Sequence, residues 1–488
     1  MSRVARRAVV VMALILGSAS CGSDDGSTDS STEVVTTTSA VPVETQPVAN
    51  DVLPVVVDTD LAADDIVALA YLLSSSAVDV LAVTVSGTGE VTCPRGVEVA
   101  SGLLSTLGHG DVRVACGQSA PLSGDRVFPE EWRTAADDAY GVSLPVVDPP
   151  TELDAVELLV AAVDTAPAPV TLLTLGPLTN VAQAFAAEPG LAGRLGSVVI
   201  MGGAVDVAGN VQPEGADSPL AAEWNLYIDP AASDAVISSQ VPITLVALDA
   251  TNKVPVTSEF IDQLAANDTT DATALVTEIL TASPPPYLWD PLAAIAVAEP
   301  ALVPGTQRPI VVVTEGEDAG RTIEQADESA VLVADPPDAE AALDHLLRTL
   351  VGVDSDDELV TPTTLPVVGE ATLSLDGTTC TYDGPTSLPE GMLRLTVTPG
   401  KVRYTGVVAH LVEGATPEET YAWQMENPGE QPPMVDSAEA VGENALPSPA
   451  TVALVPGLNV VVCFTPDGML TPDGMPTAGG VINVSGGS

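Results

Sequence analysis

The stretch Val55-Val56-Val57-Asp58-Thr59-Asp60-Leu61-Ala62-Ala63-Asp64-Asp65-Ile66-Val67-Ala68-Leu69 sets four carboxylates into eight residues, behind an apolar run and ahead of a helix-like one. The β-branched run 55–57 predicts a buried strand, and Ile66, Leu69, Ala70 and Leu73 recur at helical spacing. The acids therefore fall on a strand-to-helix turn, where active sites of parallel α/β sheets form beyond the carboxyl ends of the strands. Carboxylates this close repel one another unless a hard cation or shared protons compensate, and clustered oxygen donors suit calcium or magnesium. Asp64 and Asp65 also suit the positive end of the following helix, but that local role leaves Asp58 and Asp60 unexplained.

Outward from this turn, apolar strand-like runs at 80–85, 170–175, 197–201, 243–248, 310–313 and 330–334 alternate with alanine-rich helical stretches at 98–107, 179–187, 258–266 and 338–351. Such alternation predicts an α/β fold: an open, mostly parallel sheet flanked by helices, over residues 51–352. Asp354-Ser355-Asp356-Asp357-Glu358 breaks the pattern, and 361–366 is rich in proline and threonine, so 353–368 reads as a linker. Beyond it, 392–397, 401–411 and 450–464 alternate or run apolar between Gly/Pro turns, which predicts a small all-β, sandwich-like domain over 369–488. The tandem Thr-Pro-Asp-Gly-Met at 465 and 471 is a pair of turn signals.

Arg3, Arg6 and Arg7 precede an apolar run at 8–16 and then Gly17-Ser18-Ala19-Ser20-Cys21. This is an export signal, too short to span a bilayer as a mature helix, and a cysteine after small residues resembles a bacterial lipobox. The expectation is a signal peptide over 1–20, lipid attachment at Cys21, a Ser/Thr-rich disordered tether over 21–50, and a protein anchored to the outer face of the cell membrane by that lipid alone. The chain carries 15 basic against 67 acidic residues, a net charge of −52, with Lys253 and Lys401 its two lysines. Nucleic acid is excluded as a partner because phosphate binding needs clustered Lys and Arg; the acidity suits solubility in a salty exterior. Export permits disulfides among Cys93, Cys116, Cys380 and Cys463. Cys380 with Cys463 is the favoured pair, and Cys93 with Cys116 stays open.

Three further clusters accompany the acidic turn: 173–180, reading Leu-Thr-Leu-Gly-Pro-Leu-Thr-Asn, a strand end and a helix start capped by Thr179 or Asn180; Met201-Gly202-Gly203, then Gly209-Asn210 and Glu223-Trp224-Asn225; and Trp289-Asp290-Pro291. Each alone is ordinary punctuation. In this order and spacing they closely resemble the inosine-uridine-preferring nucleoside hydrolases over residues 51–352. The resemblance implies calcium held by Asp60, Asp65, Asp290 and the Leu175 carbonyl, with Asp60 as general base toward the attacking water and Asp58 orienting its neighbours. It implies that Asp64, Asn210, Glu223 and Asn225 hold the ribose hydroxyls of a ribonucleoside and that Met201 lines the sugar pocket. Hydrolysis of an N-glycosidic bond through an oxocarbenium-like transition state explains why carboxylates, amides and a cation are needed, with no organic cofactor.

Departures from the family pattern bear on the leaving base. Many members place a histidine before the last calcium aspartate; this chain has Trp289. The purine-preferring branch has tryptophan there and stacks aromatics on the purine, a second one coming from the loop that here holds Trp132. That resemblance predicts purine preference. Ser86-Gly87-Thr88-Gly89-Glu90 stands where an asparagine is usual, which makes Glu90 either a ligand contact or a plain loop carboxylate. A haloacid-dehalogenase-type phosphatase shares the Asp-x-Asp after a strand, but leaves the Glu-Trp-Asn and Trp-Asp-Pro segments unexplained. A non-catalytic surface module binding nucleoside or glycan is the other alternative, and a homo-oligomer stays open.

Overall fold

Val55, Val56 and Val57 are fully buried in a central strand, with alternate side chains feeding two different cores. That is what a strand covered on both faces requires. The computed structural model describes residues 52–147, 153–211, 221–326, 330–355, 357–361, 367–376, 379–398, 405–412, 433–442, 450–464 and 478–485, with isolated positions from 414 to 423. The export signal, Cys21, the tether and the tandem turn segment at 465–475 lie outside the described residues.

Among the described residues, ten strands precede the linker: β1 (Leu53–Thr59), β2 (Val78–Val85), β3 (Arg113–Cys116), β4 (Val170–Thr174), β5 (Leu195–Met201), β6 (Ile243–Val246), β7 (Gly305–Arg308), β8 (Ile310–Val312), β9 (Thr322–Glu324) and β10 (Val331–Ala334). Eight form one sheet in the order β3-β2-β1-β4-β5-β6-β10-β7. All neighbours in it pair parallel except β10 with β7. The order reverses direction on either side of β1, so the turns after β1 and β4 open into one crevice at the sheet's carboxyl edge. The run at 310–313 was expected to join this sheet. It instead pairs antiparallel with β9 in a separate two-stranded ribbon, and the edge position goes to Gly305–Arg308. Period alone cannot assign a short apolar run to a sheet.

The helix Ala63–Ser74 buries Ile66, Val67, Leu69, Ala70 and Leu72 and packs along the helix Trp289–Ala298. Full burial of such aliphatic side chains stabilises by roughly 1.5–3 kcal/mol each for valine-to-leucine size. The functional consequence is that the N-termini of two helices meet at the same end of the sheet.

Beyond the linker lie β11 (Val367–Asp376), β12 (Thr379–Asp383), β13 (Ser387–Pro389), β14 (Gly391–Val397), β15 (Thr405–Leu411), β16 (Val435–Gly442), β17 (Ala450–Leu454), β18 (Gly457–Phe464) and β19 (Ala478–Ser485). They form a four-stranded sheet, β12-β11-β14-β17, and a five-stranded one, β13-β19-β18-β15-β16. Leu373, Leu393 and Val452 of the first share a core with Val408, Val461 and Ile482 of the second, as in a sandwich. Cys380 bonds Cys463, and Cys93 bonds Cys116. Thr451 of β17 donates its hydroxyl to Glu259 Oε1 at 2.5 Å, joining this region to the helix Ser258–Ala266.

Candidate active site

The site grows from the turn after β1. Leu61 adopts a left-handed backbone (φ 59°), which costs a branched residue on the order of 1–3 kcal/mol and is tolerated where surroundings enforce it. Asp65 is the enforcing group. Its Oδ1 accepts a short hydrogen bond from the Thr59 hydroxyl and bonds from the Asp60 N–H (3.1 Å) and Leu61 N–H (3.3 Å). Behind the turn, Asp58 Oδ1 accepts from the Thr84 hydroxyl (2.5 Å) and Asn180 Nδ2 (2.8 Å). The Asp58 carbonyl accepts the Leu175 N–H at 2.8 Å, which sets the β4 exit beside Asp60.

Thr179 and Asn180 were expected to cap the helix Thr179–Ala187, and they do not. Leu178 occupies the cap position without a side-chain bond. Thr179 instead donates to Asp229 Oδ2 (2.8 Å), while Asn180 bridges Asp58 and the Val85 carbonyl (3.0 Å). These polar groups serve long-range positioning of the acidic turn.

Glycine is required at 89 because a Cβ there would lie 2.0 Å from that of Asp60. The close approach lets the Glu90 N–H donate to Asp60 Oδ2 at 3.2 Å. From the neighbouring helix, the Asp290 N–H donates to Asp64 Oδ2 at 3.3 Å. Carboxylate oxygens of Asp64, Asp65 and Asp290 all lie within 4.8 Å of one another. Asp60 stands beside this trio, held by Glu90. Glu223 caps its own helix, accepting from the N–H groups of Gly203 (3.0 Å), Asn225 (2.9 Å) and Leu226 (3.3 Å). Asn225 Nδ2 reaches the Leu175 carbonyl (2.8 Å) and Met201 carbonyl (3.3 Å), and Asn210 Oδ1 accepts the Trp224 N–H (3.1 Å).

Asp60, Asp64, Asp65, Glu90, Trp132, Leu175, Met201, Asn210, Glu223, Asn225, Trp289 and Asp290 all line one cavity of about 760 Å³. Residues thus far apart in sequence converge because most sit at a strand exit or helix start on one edge of the sheet, with Glu90 and Asn210 coming from the loops after β2 and β5. The cavity also takes in Phe128, Trp224, Asn252 and Tyr287, which the motif reading passed over. Trp224 lay in view between Glu223 and Asn225. Tyr287, two residues before Trp289, sits on a bridge to Pro255 that no local pattern announces. Trp289 is aimed by its Nε1, which donates to Asn252 Oδ1 at 3.0 Å, with the Tyr287 ring 6.0 Å away. Trp132, Trp224 and Phe128 form a second aromatic group, with Trp224 stacked on Phe128 at 5.2 Å and edge-on to Trp132 at 5.3 Å.

The electrostatics are one-sided. Among the described residues, no Lys, Arg or His lines the cavity. Burial pushes Asp58 up to about 7 and, with the Asp65 charge, Asp64 to about 7. Burial and the Asp64 and Asp65 charges raise Glu90 to about 8. Asp60 is held well above the usual carboxylate range by burial and then the Asp65 charge, and Asp290 by burial and then the Asp64 charge. Asp65 Oδ2 and Asp290 Oδ1 are buried without a hydrogen-bond partner. Orphaned carboxylate oxygens within so close a trio of acids fit a hard cation, which would satisfy both and reverse the upward shifts. Asp65, Asp290, Asp64 or Asp60 and the Leu175 carbonyl are the oxygens available to hold it.

The comparisons with known proteins follow the same residues. The model of the inosine-uridine preferring nucleoside hydrolase family matches residues 55–357. A pyrimidine-specific ribonucleoside hydrolase RihA of Shewanella woodyi is 37% identical over 220 residues, 44% of this chain and 65% of that protein; the chain thus spans just under two thirds of its length. The Citrobacter koseri protein of the same name is 32% identical over 286 residues, 54% of this chain and 85% of its own. Among solved structures, the inosine-uridine preferring nucleoside hydrolase of Bacillus anthracis superposes with a TM-score of 0.56 at 27% identity, covering 62% of this chain and all of that one. The purine-preferring ribonucleoside hydrolase of Gardnerella vaginalis gives 0.54 at 27% identity, covering 61% and 98%. With more than half its length matched by the family model and the acidic turn at its centre, the chain belongs to the inosine-uridine preferring nucleoside hydrolase family.

Proposed function

We propose that this chain hydrolyses the N-glycosidic bond of ribonucleosides, with calcium as its cation and purine nucleosides as its better substrates. The observation that carries the reading is the buried trio Asp64, Asp65 and Asp290, with two orphaned oxygens, beside Asp60 in a cavity that also holds Glu223, Asn225 and Asn210. Calcium would supply Lewis acidity toward water and a grip on the sugar hydroxyls. Asp60 accepts the proton of the attacking water, whose oxygen bonds the anomeric carbon as the bond to the base nitrogen breaks. Carboxylates and amides around the ribose stabilise the positive charge that develops. Their fixed polar contacts to a 2′,3′-diol disfavour 2′-deoxynucleosides, which would leave buried groups unpaired.

Purine preference follows from what faces the leaving base. The chain's three histidines, His109, His345 and His410, are not among the cavity residues. Trp289 lines it instead. Without an imidazole acid the departing base takes its proton from solvent, and a purine offers N7 for that while its larger ring stacks on indole. The Shewanella woodyi and Citrobacter koseri relatives are named pyrimidine-specific and the Gardnerella vaginalis neighbour purine-preferring, so base choice is what the test decides. The test is kcat/KM for inosine and guanosine against uridine, with Trp289→Ala alongside. The expected result is purine turnover at least tens-fold better, lost chiefly in kcat in the variant. Equal turnover of uridine by the wild type contradicts purine preference and leaves the cation and ribose assignments standing.

The arginines before 8–16 and the small residues before Cys21 support export and lipid anchoring, with residues 51–352 as the hydrolytic domain and the β-rich region from 369 following it. Membrane fractionation of Cys21→Ser in a bacterial host that processes lipoproteins checks this: the variant is expected in the soluble fraction, and retained lipid-modified protein would contradict it.

A further inference from the structure

The loop between β2 and the helix Arg95–Thr106 carries Glu90 and the Glu90 N–H that meets Asp60, and it is tied down outside the cavity. Cys93 is bonded to Cys116 at the end of β3. A Cβ on Gly87 would lie 2.7 Å from the Gln118 carbonyl, so the first half of the loop rests on the segment that follows Cys116. On the other side, Asp137 Oδ1 accepts from the Thr92 N–H (2.7 Å), and both Asp137 oxygens accept from the Thr92 hydroxyl (2.9 Å). Arg95 Nε donates to the Asp137 carbonyl at 2.6 Å. The chain then turns through left-handed Ala139 and Tyr140 (φ 49° and 54°), and the Tyr140 hydroxyl donates to Glu90 Oε2 at 3.2 Å.

We propose that the Cys93–Cys116 disulfide and the Asp137 carboxylate form a positioning clamp that sets the 86–92 backbone against Asp60 and aims Glu90 into the cavity. The inference rests on the reading that Asp60 and Glu90 face the substrate. Neither clamp group lines the cavity, so both act through the loop. When a binding-competent arrangement is populated only in part, apparent affinity falls by that fraction. A clamp released so that about one molecule in ten keeps the loop in place therefore raises KM about tenfold, while the molecules that do bind turn over at nearly the normal rate.

The test uses the full chain carrying Cys93→Ser with Cys116→Ser, Asp137→Ala, or Asp137→Asn, which keeps the Oδ1 acceptor. Two readouts apply: amide hydrogen exchange across 86–92 in metal-free protein, and KM and kcat for inosine. The expected result is faster exchange and a roughly tenfold higher KM in the double cysteine and Asp137→Ala variants, kcat nearly unchanged, and Asp137→Asn close to wild type. A KM unchanged in Asp137→Ala overturns the proposal, as does exchange at 86–92 unchanged in that variant. If the cysteine variant does not fold, the Asp137 pair decides. A wild-type chain that cleaves no nucleoside would sink the functional reading, and exchange alone would then judge the clamp.

Discussion

Replacing Asp290 by asparagine should move stability in opposite directions with and without calcium. In metal-free protein at pH 8, Asp290 must either ionise beside Asp64 and Asp65 or keep a proton it would lose in the unfolded chain. Ionising places like charges within 4.8 Å, which costs roughly 3.5 kcal/mol per pair at an effective dielectric near 20. Keeping the proton costs about 1.4 kcal/mol for each pH unit above the ordinary value, or roughly 6 kcal/mol at pH 8. The isosteric amide avoids both, so after relaxation the chelated variant should gain about 2–4 kcal/mol, near 5 °C in Tm for a domain of this size. In calcium the order reverses. Cation at a ten-thousandfold excess over its Kd stabilises by about 5.5 kcal/mol, more than the amide gains, and the variant forfeits most of that with its charged ligand. Three of the chain's four tryptophans line the cavity, so intrinsic fluorescence follows this unit during a melt with EDTA or with calcium chloride. A variant shifted the same way under both conditions would refute the assignment of these acids to a cation.

Further outcomes can be checked in the same way. Asn180→Leu strips Asp58 of one of its two side-chain donors in a fully buried place and should destabilise by about 3 kcal/mol, with lower calcium affinity by calorimetry. Asp60→Asn should fold yet lose a factor of about 10² to 10⁴ in kcat; activity within a few-fold of wild type removes Asp60 from the base role. Asp58 and Asp64 sit near 7 in the fold, above the ordinary 3.8. The native state therefore holds more protons than the unfolded chain from about pH 4 to 7, and metal-free stability should fall as pH rises through that window. Calcium should flatten the slope, and a chelated protein that gains stability over the window would contradict the buried, unpaired state of these acids.

Residues whose roles are set by their immediate neighbours were legible in the sequence. Val55 to Val57, the helix at 179–187 and the acidic turn announce themselves by period and by charge density. Thr179 and Asn180 were misread because a local rule makes them caps, whereas their partners, Asp229 and Asp58, lie 50 and 122 residues away. β3 has four residues and no clear period, and 310–313 carries a strand's composition without saying which edge it meets. The same limit hid Tyr287 and Asn252, which reach the cavity through pairings across turns. The site residues came through the order of motifs along the chain, and the fold supplies what order alone could not: a single cavity and a trio of acids at two helix N-termini.

The central claim is hydrolysis of a ribonucleoside at a cation site. Its most direct measurement is to incubate the purified chain with inosine, in calcium and after chelation, and to quantify hypoxanthine by chromatography and ribose by a reducing-sugar assay. The account predicts base and ribose in equal amounts, formed with calcium and abolished by chelator, and not formed by Asp290→Ala. Intact inosine in calcium, or base released at an unchanged rate after chelation, would contradict it.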